Sequence, residues 1–236
     1  MAQIGDDFLQ APGHGGRMPR PARLTVVHSL ECDAKEGLAK GLNNGPGTYL
    51  WDDGVSPHTM TDPGWTRGAC DTDIVGYHIG TYNAQATGAE VTGRASWTRA
   101  QWFEANANKA LERQAKALAE QHLAKGWGPE TFRWLSLREV ADGHSVGFCP
   151  HNDISIAPWP NPPGTNHWDP GPNYPYDVQM VRIRYYGGAL AYWGNDVPTH
   201  IIPTDHPSTG TGGVEDSWFL NTEPFRWLDM FAQSFA

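Results

Sequence analysis

Two stretches of this chain combine imidazoles and carboxylates in segments with little capacity to pack a core. Residues 147–155 read Gly-Phe-Cys-Pro-His-Asn-Asp-Ile-Ser, and residues 167–175 read His-Trp-Asp-Pro-Gly-Pro-Asn-Tyr-Pro. A third imidazole, His28, closes the β-branched run at residues 23–30. Two neutral imidazoles plus one carboxylate, with a fourth position left open, are the usual equipment of a catalytic zinc. His28, His151 and Asp169 supply that set, but not as a compact H-x-x-x-H signature. For that chemistry the fold would have to bring three distant segments together, and spacing alone does not establish it. Cys149, two residues before His151, is a further possible ligand.

The segments between them set the frame. Residues 23–30 form a strand with His28 at its C-terminal end, where ligand-binding groups gather in α/β sheets. Residues 33–42 have helical spacing and stop in Asn-Asn-Gly-Pro-Gly. Strands are expected at 55–61, closed by the Pro63-Gly64 turn, and at 74–79. In residues 86–93, alternation puts Ala89 and Val91 on one face and Gly88, Glu90 and Thr92 on the other. That makes Glu90 a carboxylate in mid-strand. Ser96 or Thr98 caps a long helix to about Lys125, with an apolar stripe from Phe103 to Leu118 and His122 at its boundary. Short helices follow near Pro129 and over 136–140, while residues 178–186 suit a helix or a strand equally.

The run from Pro158 to Pro175 holds seven prolines. It is neither helix nor central strand, because proline fixes φ and lacks the amide donor. Its Trp159, Trp168 and Tyr174 argue for an ordered loop.

Composition narrows the function. The 236 residues are 39% hydrophobic and include 11 tryptophans. That is enough for one buried core, with rings left over for a carbohydrate or peptide groove. The net charge of -9 argues against nucleic acid as a partner. No apolar run is long enough for a membrane span, so no membrane partner is expected. Three cysteines give no disulfide framework. Residues 1–22 lack the order of a signal peptide and read as a flexible Gly/Pro-rich lead-in, so synthesis in a reducing cytoplasm is expected.

From Arg23 to Asp177 the chain resembles the zinc-dependent N-acetylmuramoyl-L-alanine amidases of the type-2 amidase and peptidoglycan-recognition family, especially those of actinobacteriophage endolysins. The resemblance is carried, in order, by Val26-Val27-His28-Ser29, Ser56-Pro57-His58, Val75-Gly76-Tyr77-His78 and residues 87–93. It continues through Thr98-Arg99-Ala100-Gln101-Trp102, residues 147–155 and residues 167–173. The last is the most specific, since the family's third ligand immediately precedes Pro-Gly.

The resemblance implies a mixed α/β fold, a central β-sheet flanked by helices, over residues 23–177, with a C-terminal extension at 178–236. It implies His28, His151 and Asp169 as Zn2+ ligands and Glu90 as the base that handles the water proton. His167 stands where many members carry a lysine that steadies the oxyanion. His58, Tyr77, His78 and Trp168 are implied to line the substrate cleft, and Asn152 and Asp153 to orient the loop or a ligand imidazole. Some members have a catalytic tyrosine at the position of Pro57, so Glu90 carries the base role alone here. The implied partner is bacterial peptidoglycan, cut between N-acetylmuramic acid and L-alanine, most simply by a phage endolysin acting on the host wall. The alternative is a peptidoglycan-binding or tail-associated virion protein, with virion partners reached through the extension.

Overall fold

The computed structural model describes residues 4–193 apart from 43, 45–47 and 163–165. In chain order the strands are β1 (Asp7–Phe8), β2 (His14–Arg17), β3 (Leu24–Ser29), β4 (Thr59–Thr61), β5 (Thr66–Gly68), β6 (Ile74–Gly76), β7 (Ala86–Val91) and β8 (Gly147–Pro150). The helices are α1 (Leu38–Leu42), α2 (Tyr49–Asp52), α3 (Arg99–Trp102), α4 (Ala105–Ala124), α5 (Leu137–Ala141), α6 (His151–Ile156) and α7 (Tyr176–Trp193). The chain divides into a larger unit, residues 1–187, and a smaller one, residues 188–236, whose described residues continue α7.

Six strands form one mixed sheet in the order β1-β5-β4-β7-β3-β8, in which only β4 and β5 run antiparallel. Every residue of β3 and β7 is buried, as expected for parallel strands covered on both faces. Their register pairs Leu24 with Ala86, Val26 with Gly88 and His28 with Glu90. Neighbours in register point to the same face, so apolar residues floor one end of that face and the two polar ones stand together at its C-terminal end. Leu24, Val26 and Ala86 pack there with Cys149, Ile154 and Trp159.

The opposite face carries α4, whose alanines at 107, 110, 115, 117 and 119 are all buried and allow close approach. This face is more polar than the apolar stripe suggests. Gln114 donates to Ala89 O at 2.9 Å and Gln121 to Thr59 Oγ1 at 2.7 Å. His122 is not a boundary residue: it is fully buried, with its ring nitrogens 2.9 Å from Thr25 Oγ1 and 2.8 Å from Thr131 Oγ1. Lys125 Nζ donates to Leu24 O, Thr25 Oγ1 and Thr87 Oγ1 at 2.6–3.0 Å.

Several elements depart from the sequence reading. The lead-in is not loose throughout. β1 joins the main sheet, and β2 pairs antiparallel with β6. Side chains clamp β1: Arg67 Nε and Trp65 Nε1 donate to Asp7 at 2.8 and 3.0 Å, and Thr66 N donates to Asp6 at 2.7 Å. The long helix is broken. A Thr98–Gln101 capping box starts α3, which stops at Phe103, and Glu104 then precedes α4. The strand expected at 74–79 ends at Gly76 and yields to a 3-10 turn, Gly80–Gln85. Residues 178–186 are helical, so a boundary at 177 falls inside α7. Within the larger unit, Gln179 donates to Leu111 O and Arg182 to Asn108 Oδ1, each at 2.7 Å. The part of the expected C-terminal extension that follows residue 193 lies outside the described residues.

Burial pushes the Lys125 pKa down to about 7. An unfolded lysine titrates near 10.4. Between those values the unfolded chain holds a proton that the folded chain has released, so this residue's contribution to stability rises with pH. Denaturant unfolding of wild type and Lys125→Met should therefore show a stability difference that moves in favour of wild type by about 1.4 kcal/mol per unit between pH 7 and 10. The difference should be flat below pH 7. A flat difference throughout would mean that the three oxygen acceptors keep the ammonium charged.

Candidate metal centre

The site lies where three parallel strands end. β3 delivers His28, its neighbour β7 delivers Glu90, and β8 runs directly into His151 at the start of α6. Asp169 comes from the proline-rich loop, which is tied down on both sides of it. Its carbonyl accepts from Asn152 N at 3.0 Å, and Ser29 N lies 3.4 Å from its Oδ2. His167 N donates to Ser155 Oγ, and Asn173 Nδ2 donates to Trp97 O, each at 3.1 Å. Gly171 has φ +91°, and a Cβ there would lie 2.0 Å from Ala95 O. No other residue fits that turn without moving backbone. The loop described at 158–162 and 166–175 is thus ordered, and it holds Asp169 against β3 and α6.

His28, His151 and Asp169 are buried, and one ligand atom from each lies within 4.8 Å of the others. His28 Nδ1 is 3.3 Å from Asp169 Oδ2 and 3.9 Å from Glu90 Oε1, while His151 Nδ1 is 3.1 Å from Asp169 Oδ1. Two further atoms, His151 Nε2 and Glu90 Oε2, are buried without a hydrogen-bond partner. Buried polar groups of this kind are normally satisfied. A donor set of two imidazoles and carboxylates suits Zn2+, so the residues fit the metal that the resemblance implies.

The electrostatics agree. Burial opposes charge on Asp169, yet the imidazoles of His151, His167 and His28 turned towards it hold its carboxyl well below the usual range. Burial likewise disfavours charge on His28, but Glu90 and Asp169 outweigh it and raise its pKa. Burial, then His28, depresses His151 to about 4, leaving it neutral and ligand-ready near pH 7. Burial lifts Glu90 to about 7, with His28 pulling it down and Asp169 pushing it up. His167 is exposed, stacked on His151 with ring centroids 4.2 Å apart, and raised first by its bond to Asp169.

The proposed cleft residues separate into two groups. Trp168 and Tyr77 are exposed, 54% and 43%, and remain available to a ligand. His58 is buried, and both its nitrogens are committed, accepting from Gly88 N at 3.0 Å and donating to Ile74 O at 3.1 Å. It has no surface to line a cleft. His78 is half-buried and turned towards His28, not outward. Cys149 is buried in the apolar floor, which raises its thiol pKa well above normal and leaves it a packing residue. Asn152 orients the loop through its backbone amide. Tyr49 on α2, still 38% exposed, is outside the donor set but feels the charge of its carboxylates. Burial raises its phenol to about 12, and the charges of Glu90 and Asp169 add to the rise. No spacing in the sequence connects residue 49 to either carboxylate.

No family model matches the sequence, and no curated protein matches it. Solved structures do match. The fold is that of the hydrolase AmiA of Staphylococcus aureus, solved in complex with its ligand. That match has a TM-score of 0.53 at 16% identity, covering 80% of this chain and 84% of that one. AmpD matches with a TM-score of 0.49 at 16% identity, over 79% and 95% of the two chains. The endolysin N-acetylmuramoyl-L-alanine amidase LysCS from Clostridium intestinale matches at 0.44 and 13% identity, over 74% and 90%. The mixed α/β architecture expected from the resemblance, a central sheet flanked by helices, is the one observed.

Asp169→Ala should weaken Zn2+ binding by more than about 100-fold, because a ligand matters at least as much as its supporting shell. Asp153→Asn, which alters no contact to the three ligands, should leave it unchanged. Competition against a chromogenic chelator measures both, and equal affinity in the Asp169 variant would remove that residue from the ligand set.

Proposed function

We propose that this chain is a zinc-dependent N-acetylmuramoyl-L-alanine amidase, cleaving the amide between the lactyl group of N-acetylmuramic acid and L-alanine of the stem peptide. The observation that carries this reading is the buried His28, His151 and Asp169 group with Glu90 beside it, at the C-terminal ends of β3, β7 and β8. Binding-only use of such a fold does not require a complete donor set plus a buried base. The endolysin role, with action on the host wall, is supported by the sequence resemblance alone. Among the described residues no helix is long and apolar enough to cross a membrane.

Zinc, when held by His28, His151 and Asp169, supplies Lewis acidity to the scissile carbonyl and to the attacking water. Glu90 takes the water proton as the oxygen–carbon bond forms. Its carboxyl then returns that proton to the stem-peptide nitrogen as the carbon–nitrogen bond breaks. Burial alone lifts that carboxyl to about 7, and a cation held beside it would draw it down into the range of a base at neutral pH. His167 would donate to the carbonyl oxygen as charge develops there, a role supported by its exposure 3.6 Å from Asp169 Oδ1. Trp168 and Tyr77 offer flat amphipathic rings to sugar or peptide.

Glu90→Gln should keep its zinc and lose hydrolysis by about 10²–10⁴-fold, the usual worth of a general base. The assay is release of muramoyl and L-alanine ends from purified peptidoglycan, with metal content measured on the same sample. Retained activity in this variant, or chelator-insensitive release by wild type, would overturn the mechanism. Zinc binding without release would favour a binding role on the same scaffold.

A further inference from the structure

The arrangement of His58, His78 and His28 follows from backbone groups whose hydrogen-bonding sense is fixed. His78 Nε2 lies 3.4 Å from Ala86 O, and a carbonyl can only accept. That nitrogen therefore carries the ring proton, which leaves a lone pair on His78 Nδ1. His28 Nε2 lies 3.0 Å from that lone pair, so it must be the donor. A proton of His28 is thus assigned to Nε2, and its Nδ1 faces Asp169 Oδ2 at 3.3 Å and Glu90 Oε1 at 3.9 Å. A nitrogen that faces two carboxylates needs a cation among them, either the second proton of an imidazolium or a metal in its place.

The support beneath this chain is equally specific. Gly88 N–H donates to His58 Nδ1 and His58 Nε2 donates to Ile74 O, so that ring is locked in one tautomer. The His58 and His78 rings meet in a T-shaped contact at 5.6 Å between centroids and 88° between planes. A Cβ on Gly88 would lie 2.6 Å from His78 Nδ1, the very atom that accepts from His28. The glycine two residues before Glu90 is therefore needed to let the ring lie across β7.

We propose that His78, resting on the reading of the centre as a metal site, is a positioning residue: it fixes His28 in the Nε2–H tautomer and so presents Nδ1 to the metal. His58 and Gly88 hold His78 in place, and none of the three touches substrate. Partners that orient a metal-binding imidazole in this way are commonly worth about 10–100-fold in metal affinity.

The test is Zn2+ affinity of the full chain, by chelator competition, for wild type, His78→Phe and His78→Asn. Phenylalanine fills the space but removes the acceptor, whereas the asparagine oxygen reproduces an acceptor near the Nδ1 position. The expected result is about 10–100-fold weaker binding for His78→Phe and near-wild-type binding for His78→Asn. A packing role would give the opposite order. Unchanged affinity in His78→Phe, or equal loss in both variants, would overturn the proposal while leaving the metal reading intact. Failure of wild type to bind zinc would instead overturn that reading and the proposal with it. If either variant fails to fold, nitrogen-15 correlation spectra of wild-type His78 decide: a proton on Nε2 supports the assignment, and a proton on Nδ1 rejects it.

Discussion

Asp169 carries a charge that the fold has removed from water, and an isolated buried carboxylate costs several kcal/mol. Everything near it is arranged to offset that cost. Three imidazoles from three segments turn towards it, and the amide of Ser29 adds a fourth group at 3.4 Å. Because the carboxylate sits on a loop, the same interactions that neutralise it also decide where the loop runs. The closure of residues 166–175 against β3 and α6 is therefore one problem with the assembly of the centre. Breaking one partnership leaves the others with an uncompensated charge, so loop and centre stand or fall together.

The second constraint is register. β3 and β7 pair without a bulge over six residues, and that alone puts His28 beside Glu90. A slip of one residue would send either side chain to the α4 face. The α4 face is itself specific, because Gln114, Gln121, His122 and Lys125 each bond a defined strand oxygen or hydroxyl. A purely apolar helix face would tolerate sliding along the strands, whereas these bonds discriminate between registers. The polar layer behind the sheet thus bears on the geometry in front of it.

Much of this was legible in the sequence where side-chain type and local pattern agree. The β-branched run ending in His28, the mid-strand Glu90 and the Asp-Pro-Gly turn each announced themselves. The long alanine-rich helix was clear too, although its interruption at Phe103–Glu104 was not, since an apolar residue there continues the stripe. The resemblance implied His58 and His78 as cleft residues, because a matched position carries residue type but not side-chain direction. Their inward turn is set by Gly88, Ala86 and Ile74, contacts that no periodicity encodes. Likewise α7 mixes apolar and charged residues all round, so period alone could not separate helix from strand. β1 has two residues and is specified by the carboxylates of Asp6 and Asp7, too short a signal for any pattern.

That short strand has a consequence for how the molecule behaves in company. A sheet edge with unpaired amides is a template for another chain. Here one edge is met at β8 by residues 133–135, where Leu135 N donates to Phe148 O and Phe148 N to Arg133 O. The other is finished by β1, two residues long and flanked by acidic side chains already bonded to Arg67 and Trp65. So brief and charged a border offers little to pair with. By this account residues 4–9 contribute solubility rather than chemistry. A chain shortened past Phe8 would bare β5 and should self-associate with rising concentration in sedimentation, even with its metal-binding residues untouched.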